Sequence, residues 1–272
     1  PDIICNREIK FRAFLDHATG LGADFIATGH YARIEKTPRV RLLKGVDTGK
    51  DQTYFLHTLS RDQLGKSLFP LGAMFKSDVR KLARNANLPV YGKKDCTGIC
   101  FIGERRVSEF LARYLEKEPG EIRTLEDEVF GTHDGLMFYT IGQRQGLGIG
   151  GRKASSGEPW YVAAKETDSN ILRVVQGVNH PALFRQGLRA SQLHWISDNP
   201  PPAFLSCMAR IRHQQPVRAC TVTIEREDGC SVLFESPQRA ITPGQSVVFY
   251  DNDECLGGGV IEDALPRENP ST

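Results

Sequence analysis

The last third of the chain is punctuated so often that no long helix fits into it. Runs of β-branched and aromatic residues, Val222-Thr223-Ile224, Val232-Leu233-Phe234 and Val247-Val248-Phe249-Tyr250, alternate with the turn signals Asp228-Gly229, Thr242-Pro243-Gly244 and Asn252-Asp253. Residues 257–261 supply a further short run. Short strands at such close spacing leave many unpaired edges unless the sheet closes on itself, so the pattern predicts a small β-barrel within residues 181–272.

The front of the chain follows a different period. Asn6 stands where it could cap a helix in which Ile9, Phe14, Ala18 and Leu21 recur at near-helical spacing and would face inward. Phe25-Ile26-Ala27 then reads as a short buried strand, and Thr28-Gly29-His30 as the glycine turn at its end, where open α/β sheets bind ligands. Ser77 is the expected cap of a second helix that turns Val79, Leu82, Ala83 and Ala86 inward and stops near Asn87, ahead of Pro89. Residues 1–102 therefore read as part of an α/β unit. Residues 103–180 form a separate central region, with a helix near residues 107–115 and a glycine-dense run, residues 142–151, expected to be a mobile loop.

Composition narrows the setting. Of 272 residues, 40% are hydrophobic and 25% charged, the balance of an ordinary globular chain of two or three domains. No apolar run approaches the roughly 18 to 20 residues of a membrane span, and the N-terminus has no signal-peptide pattern, so a soluble cytoplasmic protein is expected. Seven cysteines, an odd number scattered from Cys5 to Cys255, argue against a secreted disulfide framework. A net charge of +2 does not announce nucleic-acid binding, yet two windows carry cations without acids: Arg144, Arg152 and Lys153 in one, Arg210, Arg212 and Arg218 in the other.

Two cysteines sit in sequence contexts that could activate them. Cys100 follows Thr97-Gly98-Ile99, with Lys93 and Lys94 upstream, and nearby cations favour the thiolate that acts as nucleophile or sulfur carrier. Cys5 lies three residues after Asp2 at a helix entrance, where the helix dipole acts in the same direction. Either could equally be a buried filler thiol. Cys96 and Cys100 would share a helix face, but two thiols without a second ligand pair make a poor zinc site.

In order, PDIICNREIKF, GADFIATGHYAR, KDQTYFL, DCTGICFIGER, IGQRQGLGIGG and TPGQSVVFYDNDECLGGGVIE closely resemble the bacterial tRNA-specific 2-thiouridylase family over nearly the whole chain. The resemblance implies a Rossmann-like catalytic domain of the adenine-nucleotide hydrolase type, a small central domain and a C-terminal β-barrel that binds tRNA. It implies ATP-dependent transfer of sulfur to C2 of the wobble uridine, with ATP and Mg as cofactors and a cysteine desulfurase or sulfur relay as upstream donor. Cys100 matches the cysteine that carries the persulfide, Cys5 its catalytic partner, the two able to end as a disulfide, and Asp2 a general acid or base. Gly29 matches a backbone contact to the nucleotide. Pro1, Asp2, His30, Lys50, Asp51, Gln52, Arg212, His213 and Gln245 match tRNA-contacting positions, although His213 stands where the family commonly has tyrosine, and Cys96 where it more often has serine.

The family's phosphate-binding loop of Ser-Gly-Gly-x-Asp-Ser type does not occur in this sequence, so the expectation is a fragment that lacks the ATP loop and does not adenylate its substrate alone. Two other readings stay open at this point. One is a non-catalytic tRNA-binding or thiol-redox module. The other is an iron–sulfur protein in which Asp2, Cys5 and Cys100 ligate a cluster.

Overall fold

Helix α1 opens the chain in an uncommon register: an α-helical turn, Asp2–Ile4, passes into the π-helical Cys5–Ala13 and then the α-helical Phe14–Gly20. Widening the turn to i→i+5 changes which side chains share a face. Asn6, Phe11 and Leu15 are buried and Ala18 packs partly beside them, whereas Ile9, Phe14 and Leu21 are 60%, 53% and 77% exposed. The expected inward face is thus corrected except at Ala18. Asn6 is not a cap but lies inside the helix, donating through Nδ2 to the Phe55 carbonyl at 3.1 Å.

The computed structural model describes residues 2–93, 110, 113–149, 157–199 and 201–266. After α1 come β1 (Ile26–Ala27), the antiparallel hairpin of β2 (Ala32–Glu35) and β3 (Arg41–Lys44), a 3-10 turn (Thr53–Phe55), α2 (Arg61–Gly65), β4 (Ser67–Leu68) and α3 (Lys76–Asn85). Strands β1 and β4 pair in parallel, Ile26 opposite Ser67 and Ala27 opposite Leu68. Helix α2 starts on a full capping box: Ser60 Oγ accepts from Gln63 N, and Gln63 Oε1 accepts from Ser60 N. Helix α3 begins one residue before Ser77, with Phe75 at the N-cap position, and ends at Asn85, with Asn87 in the left-handed region just beyond, as its sequence predicts. Its apolar face is only half realised. Val79 and Ala83 are half-buried, but Leu82 and Ala86 are exposed.

The central region forms a four-stranded sheet of β5 (Gly120–Arg123), β6 (Val129–His133), β7 (Trp160–Glu166) and β8 (Ile171–Gln176), in the order β6-β5-β8-β7. Its core contains Ile122, Phe130, Val162, Leu172 and Val174 together with Leu147 and Ile149. Those last two come from the glycine-dense run expected to be mobile. Gly146 and Gly148, at φ +80° and +67°, let that backbone turn while Leu147 and Ile149 go into the core, so the described part of the run, residues 142–149, is anchored by burial. Residues 96, 100, 107–109 and 150–151, on which other expectations rest, lie outside the described residues.

The barrel follows as predicted. Strands β9 (Phe184–Trp195), β10 (Phe204–Arg210), β11 (Arg218–Arg226), β12 (Gly229–Arg239), β13 (Ser246–Asp251) and β14 (Glu254–Leu265) are ordered β13-β10-β11-β12-β9-β14, and pairing of β13 with β14 closes the ring at six strands. Closure removes the free edges that so many short strands would otherwise present. A register shift beside Phe249 and Tyr250 marks a bulge in β14. Gly257 sits in it at φ +142°, where a β-carbon would fall 2.0 Å from the His194 carbonyl oxygen.

Two compact units divide the chain. One comprises Pro1–Cys100, Arg189–Glu235 and Gly244–Glu262; the other comprises Phe101–Leu188, Ser236–Pro243 and Asp263–Thr272. In the first, β3 pairs with β14, Leu42 opposite Cys255 and Leu43 opposite Glu254. Phe11, Leu15, Ile26, Leu42, Leu56, Leu59 and Leu64 share one core with Ile196, Val248, Tyr250 and Cys255. The front segment and the barrel are therefore welded through apolar burial.

Candidate functional site

Within that first unit, three separate stretches converge through hydrogen bonds rather than through apolar contact alone. The loop after β3 delivers Lys50, Asp51 and Gln52. Gln52 is bound reciprocally to Tyr31: the Tyr31 amide donates to Gln52 Oε1 at 2.9 Å, and the Gln52 amide donates to the Tyr31 carbonyl at 2.9 Å. This fastens the turn holding His30 to the Lys50–Gln52 loop.

Asp51 is 2% exposed, and its carboxylate is fully occupied from within. Oδ1 accepts from the amides of Gly45 and Thr53, each at 3.2 Å, the Thr53 hydroxyl donates to both oxygens, and Arg210 Nη1 lies 3.3 Å from Oδ2. The same Arg210 nitrogen donates to the His213 carbonyl at 3.1 Å. One buried ion pair thus ties the Lys50–Gln52 loop to the loop between β10 and β11, which carries Arg212 and His213. Arg210, read from the sequence only as one cation of an acid-free window, is the cluster residue most plainly missed. Its signal was three-dimensional, a buried partner 159 residues away.

His213 presents its ring, tilted, to Phe55 with centroids 4.3 Å apart and to Tyr54 at 6.1 Å. Burial lowers its pKa first and the Arg210 charge second, while the carboxylates of Asp51 and Asp2 oppose them. The first turn of α1, Asp2–Ile4, packs against the Thr53–Phe55 turn on which the His213 ring rests. Tyr54 pins the same region by donating to the Ser246 carbonyl at 2.9 Å, next to the exposed Gln245, and burial pushes its own pKa up to about 12. Asn6, one residue after the half-buried free thiol of Cys5, reaches Phe55 with one amide atom. Its Oδ1 is buried without a partner, as are Arg210 Nε and His213 Nδ1. Three unpaired polar atoms from two segments of the chain, the start of α1 and the end of β10 with its loop, are what a polar ligand would satisfy.

His30 is 8% exposed between the rings of Phe11 and Phe69, its Nδ1 at 2.8 Å from Thr28 Oγ1. Burial, then the nearby Lys10 charge, pulls its pKa down to about 4, so the ring is neutral near pH 7. The structure therefore brings Asp2, Cys5, Lys50, Asp51, Gln52, Arg212, His213 and Gln245 onto one connected framework and holds His30 behind it. Pro1 and Cys100 lie outside the described residues.

Gly29 is exposed at the end of the parallel strand β1, in the position where open sheets bind nucleotides, with Leu71 Cδ1 3.7 Å from where a β-carbon would be. Among the described residues no glycine-rich amide cradle at a helix N-terminus accompanies it, so these residues fit at most the nucleoside end of ATP and not its phosphates. No group of three or more His, Cys, Asp or Glu side chains that could hold a metal ion occurs among the described residues.

The order of parts defines a class: a nucleotide-hydrolase-like front, a small central β-domain and a terminal barrel. The chain matches the profiles described as tRNA methyl transferase HUP domain over residues 1–104, tRNA methyl transferase PRC-barrel domain over 108–176 and Aminomethyltransferase beta-barrel domain over 185–261. It is 58% identical over 262 residues to the tRNA-specific 2-thiouridylase MnmA of Nitrosococcus oceani, covering 96% of this chain and 71% of that protein. It is 54% identical over 266 residues to the protein of the same name from Alkaliphilus oremlandii, covering 97% and 72%. The Methylococcus capsulatus protein of that name is 57% identical, over 96% and 71%. The chain belongs to the tRNA-specific 2-thiouridylase family.

Proposed function

We propose that this chain is a tRNA-uridine 2-sulfurtransferase whose sulfur passes through Cys100 and Cys5 to C2 of the wobble uridine. The observation that carries the reading is the convergence of Asn6, Asp51, Arg210 and His213 through hydrogen bonds that leave polar atoms unpaired, with Asp2 and Cys5 on the same helix start as Asn6. In this reading residues 1–102 hold the thiol chemistry, residues 103–180 form the central domain, and residues 181–272 supply the barrel that grips tRNA. The protein works in the cytoplasm; no helix among the described residues is long and apolar enough to cross a membrane.

The chemistry assigned to this chain's own residues is a sulfur hand-over. A desulfurase or relay protein loads Cys100 as a persulfide. The Cys5 thiolate attacks the inner sulfur, a Cys5–Cys100 disulfide forms, and the terminal sulfur leaves with the electron pair of the broken S–S bond to bond C2. Asp2 holds or gives up the proton that accompanies each change of charge at this end of α1. A dithiol reductant returns both cysteines to thiols. Lys50, Arg212 and Gln245 contact the tRNA backbone, and His30 and His213 shape the wall on which a base rests. The uracil oxygen needs activation as a leaving group, and ATP with Mg is the family's means of supplying it. The described residues do not cradle its phosphates.

The test is peptide mapping after incubation with a cysteine desulfurase, cysteine and a sulfur relay. A dithiothreitol-labile sulfur adduct on Cys100 is expected, and Cys5→Ser should keep the adduct but yield no Cys5–Cys100 disulfide. A Cys100 that stays unmodified in the presence of a donor active on a control acceptor overturns the assignment. Lys50→Ala and Arg212→Ala should each lower tRNA affinity and reduce the salt-dependence slope by about one.

A further inference from the structure

A second pair of thiols lies inside the barrel, far in sequence from Cys5 and Cys100 and without a part in the hand-over. Cys207 on β10 stands directly opposite Cys220 on β11 in the antiparallel register, with the two sulfurs 3.8 Å apart. Directly opposed residues on antiparallel strands have α-carbons about 4.5–5.5 Å apart, inside the roughly 4.4–6.8 Å range that a disulfide bridges without backbone movement. Cys207 is half-buried, whereas Cys220 is 4% exposed. A third thiol, Cys230 on β12, is 1% exposed and is registered opposite Ile224, not opposite either of the pair.

From this placement we infer that Cys207 and Cys220 form an oxidation site: a hydroperoxide reacts at Cys207, and Cys220 resolves the product to a cross-strand disulfide. In the first step the Cys207 sulfur bonds one peroxide oxygen, the O–O bond breaks, and the thiol proton leaves with the released hydroxide as water (from hydrogen peroxide). Cys207 is then a sulfenic acid. In the second step the Cys220 sulfur attacks it, the S–O bond breaks, and hydroxide departs with the Cys220 proton as a second water. Two thiols lose two electrons, and one peroxide gains them.

The order of events follows from the two environments. Cys220 is held in the thiol form by its hydrogen bond with Cys207 and by burial, both of which raise its pKa, so the more accessible Cys207 meets the oxidant first. The sulfenic acid consequently lasts long enough to be trapped. Cys230, whose pKa burial pushes up to about 12, is the sealed neighbour that should stay reduced.

The location gives the modification a mechanical consequence. Strands β10 and β11 end in the loop, residues 211–217, that carries Arg212 and His213. A Cys207–Cys220 bond would tie the two strands at the base of that loop. The inference does not depend on the proposed sulfurtransferase activity.

The chain itself makes the test clean, because trypsin separates the three thiols onto the peptides 190–210, 219–226 and 227–239. The full protein is treated with hydrogen peroxide, alkylated and digested without reduction. The expected product is peptide 190–210 linked to 219–226, lighter than the sum of the two by two hydrogens and separated by dithiothreitol. In Cys220→Ala, Cys207 should instead be captured by dimedone, with the 227–239 peptide unmodified. Cys207 left as a thiol, linked to Cys230, or carried to the sulfinic acid beside an intact Cys220 overturns the inference, and because the first readout uses the unsubstituted protein it survives a variant that folds poorly.

Discussion

At the scale of single residues, Asp51 differs from its neighbours in the Lys50–Gln52 loop, because its carboxylate is held entirely from within the protein. The resemblance assigns Lys50, Asp51 and Gln52 alike to tRNA contact, but the Asp51 carboxylate is buried under two amides, a hydroxyl and Arg210. It acts by holding the loop that presents Lys50 and by anchoring the cation beside His213. Removing one partner of a buried pair strands the other charge, which costs about 3–5 kcal/mol. Arg210→Met should therefore lower unfolding free energy by about 3 kcal/mol in urea titration, and Asp51→Asn combined with it should cost less than the sum of the two single changes. Lys50→Ala should leave stability within about 0.5 kcal/mol of the parent. A stability loss for Lys50→Ala equal to that of Arg210→Met would overturn this division of labour. The sequence exposed both cations but not their difference, because pairing with a residue 159 positions away leaves no local spacing to read.

Among elements, the barrel was legible and helix α1 was not, for a physical reason. Barrel strands announce themselves by β-branched runs cut by turn residues, and both the runs and the turns are local. Helix α1 carries two apolar sets, Ile9-Phe14-Leu21 and Phe11-Leu15-Ala18; the second keeps the i, i+4, i+7 spacing of one helix face and is the buried one, while the looser first set, taken from the sequence as the apolar face, is exposed. The buried face also sets Asn6 against Phe55 and so places the neighbouring Cys5 at the cluster. The contrast is measurable. Phe11→Ala should cost about 3–5 kcal/mol, because it empties a fully buried site, whereas Phe14→Ala should cost under about 1 kcal/mol. Equal losses in a chemical denaturation series would mean that the Ile9-Phe14 face is packed as well. The anchored run ending in Leu147 and Ile149 was misread for the converse reason, since glycine density signals backbone freedom but not what the intervening side chains bury.

For the whole molecule, two buried neutral histidines make stability depend on pH. His30 and His57 both have pKa values lowered to about 4, in each case chiefly by burial. Unfolding restores an ordinary value near 6.5, so below that pH the unfolded chain takes up protons that the folded chain refuses. Their contribution is fully present above about pH 6.5 and is lost as pH falls toward 4, each histidine adding up to about 1.4 kcal/mol per pH unit to the slope. Urea midpoints measured from pH 7 to pH 5 should fall accordingly, and His57→Gln should flatten the dependence; a slope unchanged by that substitution would assign it to carboxylates. The chain also passes between its two compact units five times, after residues 100, 188, 235, 243 and 262. Sequence profiles lie along it as three consecutive blocks, yet no single cut releases either unit whole. A gene fusion or exchange that respects only the linear blocks would strand pieces of both units on the wrong side of the join. Recombination should therefore find this protein far less divisible than its sequence suggests, and its parts are expected to have been inherited together.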